Sequence, residues 1–363
     1  MKIAFDSQIF TMQEYGGISR YICSLAAHLA DIEGVEASII APFYINAYLE
    51  KLPKGIVSGI RIPKIPKTGR TFHRSGLWLA RGAIARLAPQ IVHETYYNAT
   101  PIAPKGARTV VTVYDMIHEL FPAAFPQHDR TSERKRIATQ RADHVLCISE
   151  STRRDLLELF DLPEDKVSVV YLGFDRLPPM ILETDYKKPY LLYVGYRSDY
   201  KNFEGFLRAY ADSPWLRNNF DVVCFGGDAF SSIEKKLFDD LKLSDKQLLQ
   251  MNGNDSELAN AYRGAALFVY PSLYEGFGIP PLEAMSLGCP VACSNNSSIP
   301  EVVGSAAECF DPKDTESIRT ALERVLNSTA RRTELIDKGY VRCRQFSWKR
   351  CAEETLAVYR SLV

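Results

Sequence analysis

The sequence carries no net formal charge: 44 Lys and Arg offset 44 Asp and Glu across 363 residues. Bulk electrostatics therefore point to no polyanionic partner, nucleic acid included, and any charge recognition has to come from local patches. No apolar run approaches the roughly 18–20 residues that a membrane-crossing helix needs. The opening Met1-Lys2-Ile3-Ala4-Phe5-Asp6 reads directly as a strand and lacks the apolar core of a signal peptide. The eight cysteines (Cys23, Cys147, Cys224, Cys289, Cys293, Cys309, Cys343 and Cys351) form no Cys-x-x-Cys pair. A disulfide or metal framework is therefore not expected, and thiols within apolar runs read as buried and free. These absences give the expectation of a reduced, cytoplasmic protein. There is also no Gly-x-Gly-x-x-Gly: Gly16-Gly17-Ile18-Ser19-Arg20-Tyr21 has only two glycines, so dinucleotide binding is not indicated. No Asp-x-Asp occurs, and there are no internal repeats or low-complexity tracts.

What is present is an ordinary globular composition, 46% hydrophobic and 24% charged, enough for two cores. Short apolar runs alternate with amphipathic stretches, the pattern of βαβ units and parallel sheets. In the first half strands are expected at Lys2–Phe5, Ala37–Ala41, Ile91–His93, Thr109–Val113, His144–Ile148 and Val167–Tyr171. In the second half they are expected at Tyr190–Val194, Val222–Phe225, Leu248–Met251, Ala266–Tyr270 and Val291–Cys293. The last helices expected are Thr315–Asn327 and Trp348 to Leu362. Leu172–Lys188, with Gly173, Pro178, Pro179 and no periodicity, reads as a linker. Two doubly wound α/β halves joined in this way are expected to face a cleft.

The most informative stretch runs from Ser272 to Met285. Glu275 follows the apolar run Ala266–Tyr270, and Glu283 lies eight positions later in a helix opening at Pro280, on its first turn. Gly276 and Gly278 between them let backbone amides approach a ligand closely. A strand's C-terminal end, a glycine loop and a helix N-terminus together suit a ligand with hydroxyls and a phosphate.

This stretch resembles the Glu-x7-Glu signature of retaining family-four glycosyltransferases, which have the GT-B fold. Gly288 to Ser294, Ser298-Ile299-Pro300-Glu301-Val302, Gly16-Gly17, Gly195 to Asn202 and Phe346-Ser347-Trp348 resemble the family too, so the likeness spans nearly the whole chain. It implies an acceptor-binding domain over 1–175, a nucleotide-sugar-binding domain over 176–345, and a final helix, 346–363, packing back on the first domain. It implies that Glu283 holds the ribose hydroxyls, a task that suits a carboxylate because one acceptor group takes two donors. It places Glu275 on the donor sugar, with the amides of Gly276, Phe277, Gly278, Ile279 and Pro280's loop around sugar and phosphate. Lys201, and with less reach Arg197, would hold the diphosphate, where a fixed cation stabilises the leaving group's growing charge. By the same resemblance Gly17 approaches the donor phosphate or the acceptor, and the loop with Asn254 approaches the base. Where the family has a His-Asp pair this chain has Tyr114-Asp115, with His118 three residues on as a substitute. Ser149 reads first as a helix cap, and Asp255 or Ser256 likewise. Lacking Asp-x-Asp, the chain is expected to work without an essential metal, its charge neutralised by Lys201, amides and a helix dipole.

The branch resembled includes bacterial O-antigen mannosyltransferases. That gives GDP-mannose as the expected donor and a lipid-linked surface glycan as the acceptor. The alternatives are a UDP-sugar transferase of the same fold, a nucleotide-sugar epimerase, and a non-catalytic nucleotide-sugar-binding protein. One further stretch, Lys51 to His93, holds Lys51, Lys54, Arg61, Lys64, Lys67, Arg70, Arg74, Arg81 and Arg86 with no acidic residue. Leu77, Trp78 and Leu79 interleave, so the stretch reads as a patch for anionic lipid.

Overall fold

The structure, a computed structural model, describes residues 1–64, 69–178, 188–197, 199–244 and 246–363, with side chains throughout except at 69–74. Lys67 and most of the expected linker therefore lie outside what is described, as do the side chains of Arg70 and Arg74. Two compact units form. Unit 1 is Met1–Gly173 with Ser347–Val363, and unit 2 is Phe174–Phe346.

Unit 1 holds β1 (Lys2–Phe5), β2 (Glu36–Tyr44), β3 (Val57–Arg61), β4 (Ile91–Glu94), β5 (Arg108–Val113), β6 (His144–Cys147) and β7 (Val167–Val169), all parallel, in the order β3-β2-β1-β4-β5-β6-β7. Both faces of β4 and β6 are buried, as expected when crossover helices cover a parallel sheet, and the polar His93, Glu94 and His144 are buried with them. The terminal helix Trp348–Ser361 belongs to this unit. Its Tyr359 hydroxyl lies 2.5 Å from His93 Nδ1, and Trp348 packs on Tyr21 of the helix Gly17–Ala30.

Unit 2 holds β8 (Tyr190–Val194), β9 (Asp221–Phe225), β10 (Leu248–Met251), β11 (Leu267–Tyr270), β12 (Val291–Ser294) and β13 (Glu308–Phe310), also parallel, in the order β10-β9-β8-β11-β12-β13. Its core packs Tyr193, Phe206, Tyr210, Val222, Leu267 and Leu322 around the sheet. In each sheet the strand order reverses once, between β1 and β4 in unit 1 and between β8 and β11 in unit 2. Loops leaving the C-terminal ends of two such strands diverge to opposite faces and open a crevice.

The architecture is the α/β, doubly wound one that the alternation implies. Two strands escaped it. Strand β3 is almost wholly exposed, so it shows no apolar alternation and exists only through pairing with β2. Its Gly59, at φ +158, lies where a Cβ would meet Ala41 O at 1.6 Å, beside a register shift in that pairing. Strand β13 is a three-residue edge strand. The helix Thr329–Cys343 was also unanticipated, since its buried stripe is only Leu335, Gly339 and Cys343.

Candidate active site

In unit 2 the reversal point is flanked by Lys201, following β8, and Glu275, following β11. The structure joins them: Lys201 Nζ donates to Glu275 Oε1 and Oε2 at 2.7 and 2.9 Å. The resemblance gives them separate tasks on the donor; the structure shows them as an ion pair. The ammonium also lies over the rings of Tyr200 and Tyr270, 5.3 and 6.0 Å from their centroids. Glu275 is only 7% exposed, and its carboxylate is satisfied on every side. Ser272 Oγ donates to Oε1 at 2.6 Å, and the Tyr270 hydroxyl bonds it as well. Burial, helped by the neighbouring Glu275 charge, pushes the Tyr270 phenol well above its usual range, so it stays a donor.

The loop that carries Glu275 is braced from the segment after β12. Ser297 Oγ accepts from the Glu275 amide at 2.9 Å, and Ser298 Oγ donates to the carbonyl oxygens of Glu275 and Phe277 at 2.7 and 2.8 Å. Ser297 has φ +52, a left-handed conformation that side-chain-bearing residues adopt only when surroundings hold them there. In the sequence Ser298 stands only as part of a motif, and neither serine nor Ser272 carries a task; Ser272 lies three positions from Glu275, but Ser297 and Ser298 lie 22 and 23 positions away and give no local signal. Asn202 Nδ2 bonds the carbonyl oxygens of Pro271 and Pro312, at 3.2 and 2.7 Å, fixing the Lys201 loop to the end of β11.

The helix after the glycine loop is Ile279–Ser286, with Gly278 as its N-cap at φ +116. It starts earlier than expected, because a left-handed glycine lets the chain turn into helix at once. Glu283 therefore sits on the second turn and not the first. It is 6% exposed and accepts from the Tyr262 hydroxyl at 3.3 Å. Pro280 and Pro281 supply no N–H, so neither offers an amide to an anion at this helix start. Phe277 is buried with its ring edge-on to Phe346.

Other expected residues have protein partners. Arg197 Nε donates to Glu234 at 2.5 Å, its Nη1 to Gln250 at 2.9 Å and its Nη2 to Asp228 O at 2.5 Å, and the guanidinium stacks on Phe230. Its side chain, 5% exposed, braces the loop after β9. Asn254 is the cap of the helix Asp255–Gly264, accepting from Ser256 N and Glu257 N in a capping box with Glu257. The cap is thus Asn254, one residue before Asp255 and two before Ser256. Ser149 caps the helix Glu150–Leu159, as read.

In unit 1 Asp115 and His118 do not share a helical face. The helix there begins only at Ile117, whose amide Asp115 Oδ1 accepts at 3.1 Å. His118 stacks on Phe125 at 3.8 Å and lies 3.9 Å from Asp129. Burial and the Lys135 charge hold its imidazole below the ordinary value. Lys135, unremarked in the sequence, is fully buried and donates to Asp115 O and Glu119 Oε2 at 2.8 and 2.7 Å. At this sheet's reversal point Asp6 ties the loop after β1 to the loop after β4. Gln8 Nε2 and Thr95 Oγ1 donate to it at 2.6 and 2.5 Å. Beside it opens a pocket of about 780 Å³ lined by Met12, Trp78, Arg81, Tyr96, Asn98 and Arg134. Gly17 has a negative φ and nothing within 4 Å of a Cβ, so no contact in this unit demands glycine there. Among the described residues no helix is long and apolar enough to cross a membrane, and no cluster of metal-ligating side chains occurs.

The two units match two family models in succession: residues 15–176 match glycosyltransferase family 4, and residues 180–342 match glycosyl transferases group 1. The O-antigen chain mannosyltransferase B of Escherichia coli is 31% identical, with 95% of this chain and 96% of that protein covered. The O-antigen chain mannosyltransferase RfbU of Salmonella typhimurium is 27% identical over 85% and 87%. Among solved structures, the sucrose-phosphate synthase of Thermosynechococcus elongatus superposes with a TM-score of 0.76 at 20% identity, over 99% of this chain and 98% of that one. A fold of two doubly wound units, a carboxylate–lysine pair at the second reversal point and full-length similarity converge: the chain belongs to the group 1, family 4 glycosyltransferases of the GT-B fold.

Proposed function

We propose that the protein transfers mannose from GDP-mannose to a hydroxyl of a lipid-linked surface polysaccharide, with retention at the anomeric carbon and without an essential metal. The observation that carries the reading is the Lys201–Glu275 pair at the β8/β11 reversal point, beside a glycine loop that opens a helix. The choice of sugar and acceptor is supported by similarity to the two O-antigen chain mannosyltransferases.

On this reading the diphosphate lies against the amides of Gly276, Phe277, Gly278 and Ile279, and Lys201 turns from Glu275 to the phosphate oxygens. Glu275, released from the ammonium, accepts a hydroxyl of the sugar, while Glu283 takes the ribose hydroxyls. The bond from the anomeric carbon to the phosphate oxygen breaks with its electron pair passing to that oxygen. The acceptor oxygen bonds to the same face, and its proton goes to the departing phosphate. Lys201 stabilises charge that grows during this step, so it lowers the barrier and does not merely tighten binding. It occupies the electrostatic role that a divalent ion would otherwise fill. Arg197 and Asn254 support the donor through their loops. Asp115 and His118 are the unit 1 groups for the sugar or the acceptor, and Gly17 leaves room for phosphate or acceptor.

Unit 1 takes the acceptor, and its pocket at the β1/β4 reversal suits a saccharide: aromatic faces from Trp78 and Tyr96, a polar Asn98, and the cations Arg81 and Arg134. Trp78, 76% exposed, lies on one helix with exposed Arg81 and Arg86, a combination fit for anionic lipid headgroups at the inner face of the cytoplasmic membrane. Arg61, by contrast, is paired with Glu50 and Glu14.

Thermal denaturation with GDP, UDP and ADP, followed by product analysis with GDP-mannose and a lipid-linked glycan in EDTA, tests the proposal. A ligand that binds only the folded state raises the melting temperature. Stabilisation by GDP and EDTA-insensitive product are expected. Stabilisation by UDP alone would give the UDP-sugar alternative, and none by any nucleotide would end the donor reading.

A further inference from the structure

The geometry points to Cys293 and Cys309 as a dithiol that a hydroperoxide converts to a disulfide. Seven of the eight cysteines are buried, and Cys309 is the exposed one. It lies on edge strand β13, directly in register with Cys293 on β12, and the two sulfurs stand 4.0 Å apart. Neighbouring strands hold their backbones about 4.8 Å apart, within the roughly 4.4–6.8 Å that a disulfide spans between Cα atoms. Closing the remaining gap requires movement, and β13 is suited to it: three residues long, bonded to a strand on one side only.

The pair is also asymmetric in the way peroxide chemistry needs. Contact with the Cys293 thiol, helped by the Arg331 guanidinium, holds Cys309 below the ordinary thiol range, against the opposing effects of burial and Glu308. The Glu308 carboxylate is itself bonded by Arg324 and Arg331 at 2.6 and 2.7 Å. Cys293, hydrogen-bonded to Cys309 and fully buried, is pushed well up and remains protonated. The exposed partner is thus the nucleophile and the buried one the resolving thiol. Cys309 thiolate attacks the peroxide oxygen, the O–O bond breaks, and the departing alkoxide leaves as alcohol after taking a proton. The sulfenic acid formed on Cys309 is attacked by Cys293 sulfur, the S–S bond forms, and hydroxide leaves as water with the Cys293 proton. Two thiols lose two electrons, and the peroxide takes them.

The position gives the modification a consequence. Cys293 is in register with Tyr270, which bonds Glu275, and the chain beyond it reaches Ser297 and Ser298, which brace the Glu275 loop.

The test treats native full-length protein with hydrogen peroxide at low molar excess, then denatures it in alkylating agent and maps peptides by mass. The expected product is lighter by about 2 Da, with the 293 and 309 peptides linked. C309S should give no linked peptide and no mass loss. C293S should trap Cys309 as a sulfenic acid that a dimedone probe labels. Over-oxidation of Cys309 in the wild type to sulfinic or sulfonic acid without linkage, or linkage to any other cysteine, would overturn the proposal.

Discussion

Replacing Lys201 by methionine separates what the ion pair does for the fold from what it does for the reaction. The side chain keeps its length and loses only its charge and donors. Glu275 then stays behind at 7% exposure without the cation that holds both its oxygens. Orphaning one partner of a buried pair costs about 3–5 kcal/mol. Two features reduce that here. Ser272 and Tyr270 continue to donate to the carboxylate, and the lysine side chain is 22% exposed, so solvent already screened part of the attraction. About 2–3 kcal/mol remains, which for a unit of this size lowers the melting temperature by about 5–10 °C. The effect on turnover is separate, since removing a donor aimed at developing charge costs about 10²–10³ in kcat. The assay is calorimetric melting with and without GDP, beside steady-state kinetics of Lys201→Met and Lys201→Arg. Arginine should recover most of the stability and part of kcat. A methionine variant that melts within a degree of wild type and keeps its kcat would refute the reasoning for both roles. Destabilisation with unchanged kcat would leave Lys201 a structural pin and remove it from the mechanism.

Acid should weaken unit 1 through His93. Burial pushes its imidazole down to about 3, whereas the unfolded chain titrates near 6.5, so the unfolded state takes up the proton first and the contribution, complete above 6.5, is lost as pH falls towards 3. Urea unfolding at pH 5 should show about 2 kcal/mol less stability than at pH 7, and a His93→Gln variant that kept the same pH slope would contradict this. Gly278→Ala forces a side chain into φ +116 at the helix N-cap, although its nearest neighbour would be the Tyr270 ring at 3.8 Å. The cost is therefore backbone strain of about 1–2 kcal/mol, accompanied by weaker GDP stabilisation; melting and GDP binding equal to wild type would show that the loop geometry is unimportant. Trp78→Ala should reduce co-sedimentation with anionic liposomes at low salt while leaving the melting temperature unchanged, since the ring is 76% exposed. Wild-type protein that stays in the supernatant would sink the membrane reading.

Much of the fold was legible because parallel strands covered on both faces must be apolar throughout. Tyr190–Val194 could be delimited to the residue for that reason, and β3 could not, because its existence depends on a partner and not on burial. The candidate site was legible as residue types and spacing. Glu275, Glu283, Gly278 and Lys201 announce hydroxyl and phosphate chemistry through what their groups can accept, donate or permit. Their arrangement was not legible. That Arg197 is consumed by Glu234, Gln250 and Asp228, that Asn254 is a cap, and that His118 stacks on Phe125 all depend on neighbours distant in sequence. The helix start at Ile279 turned on one backbone torsion, at Gly278, which composition does not report.

The sequence by itself determined the alternation of strands and helices and the inventory of polar groups at the strand ends, because periodicity and local backbone preference act over a few residues. Only the tertiary structure decided which of those groups meet. Lys201 and Glu275 are 74 positions apart and become partners because β8 and β11 lie side by side. Cys293 and Cys309 touch because β12 and β13 do. Strand adjacency is fixed by crossover packing of the whole sheet, a long-range outcome that no single segment encodes.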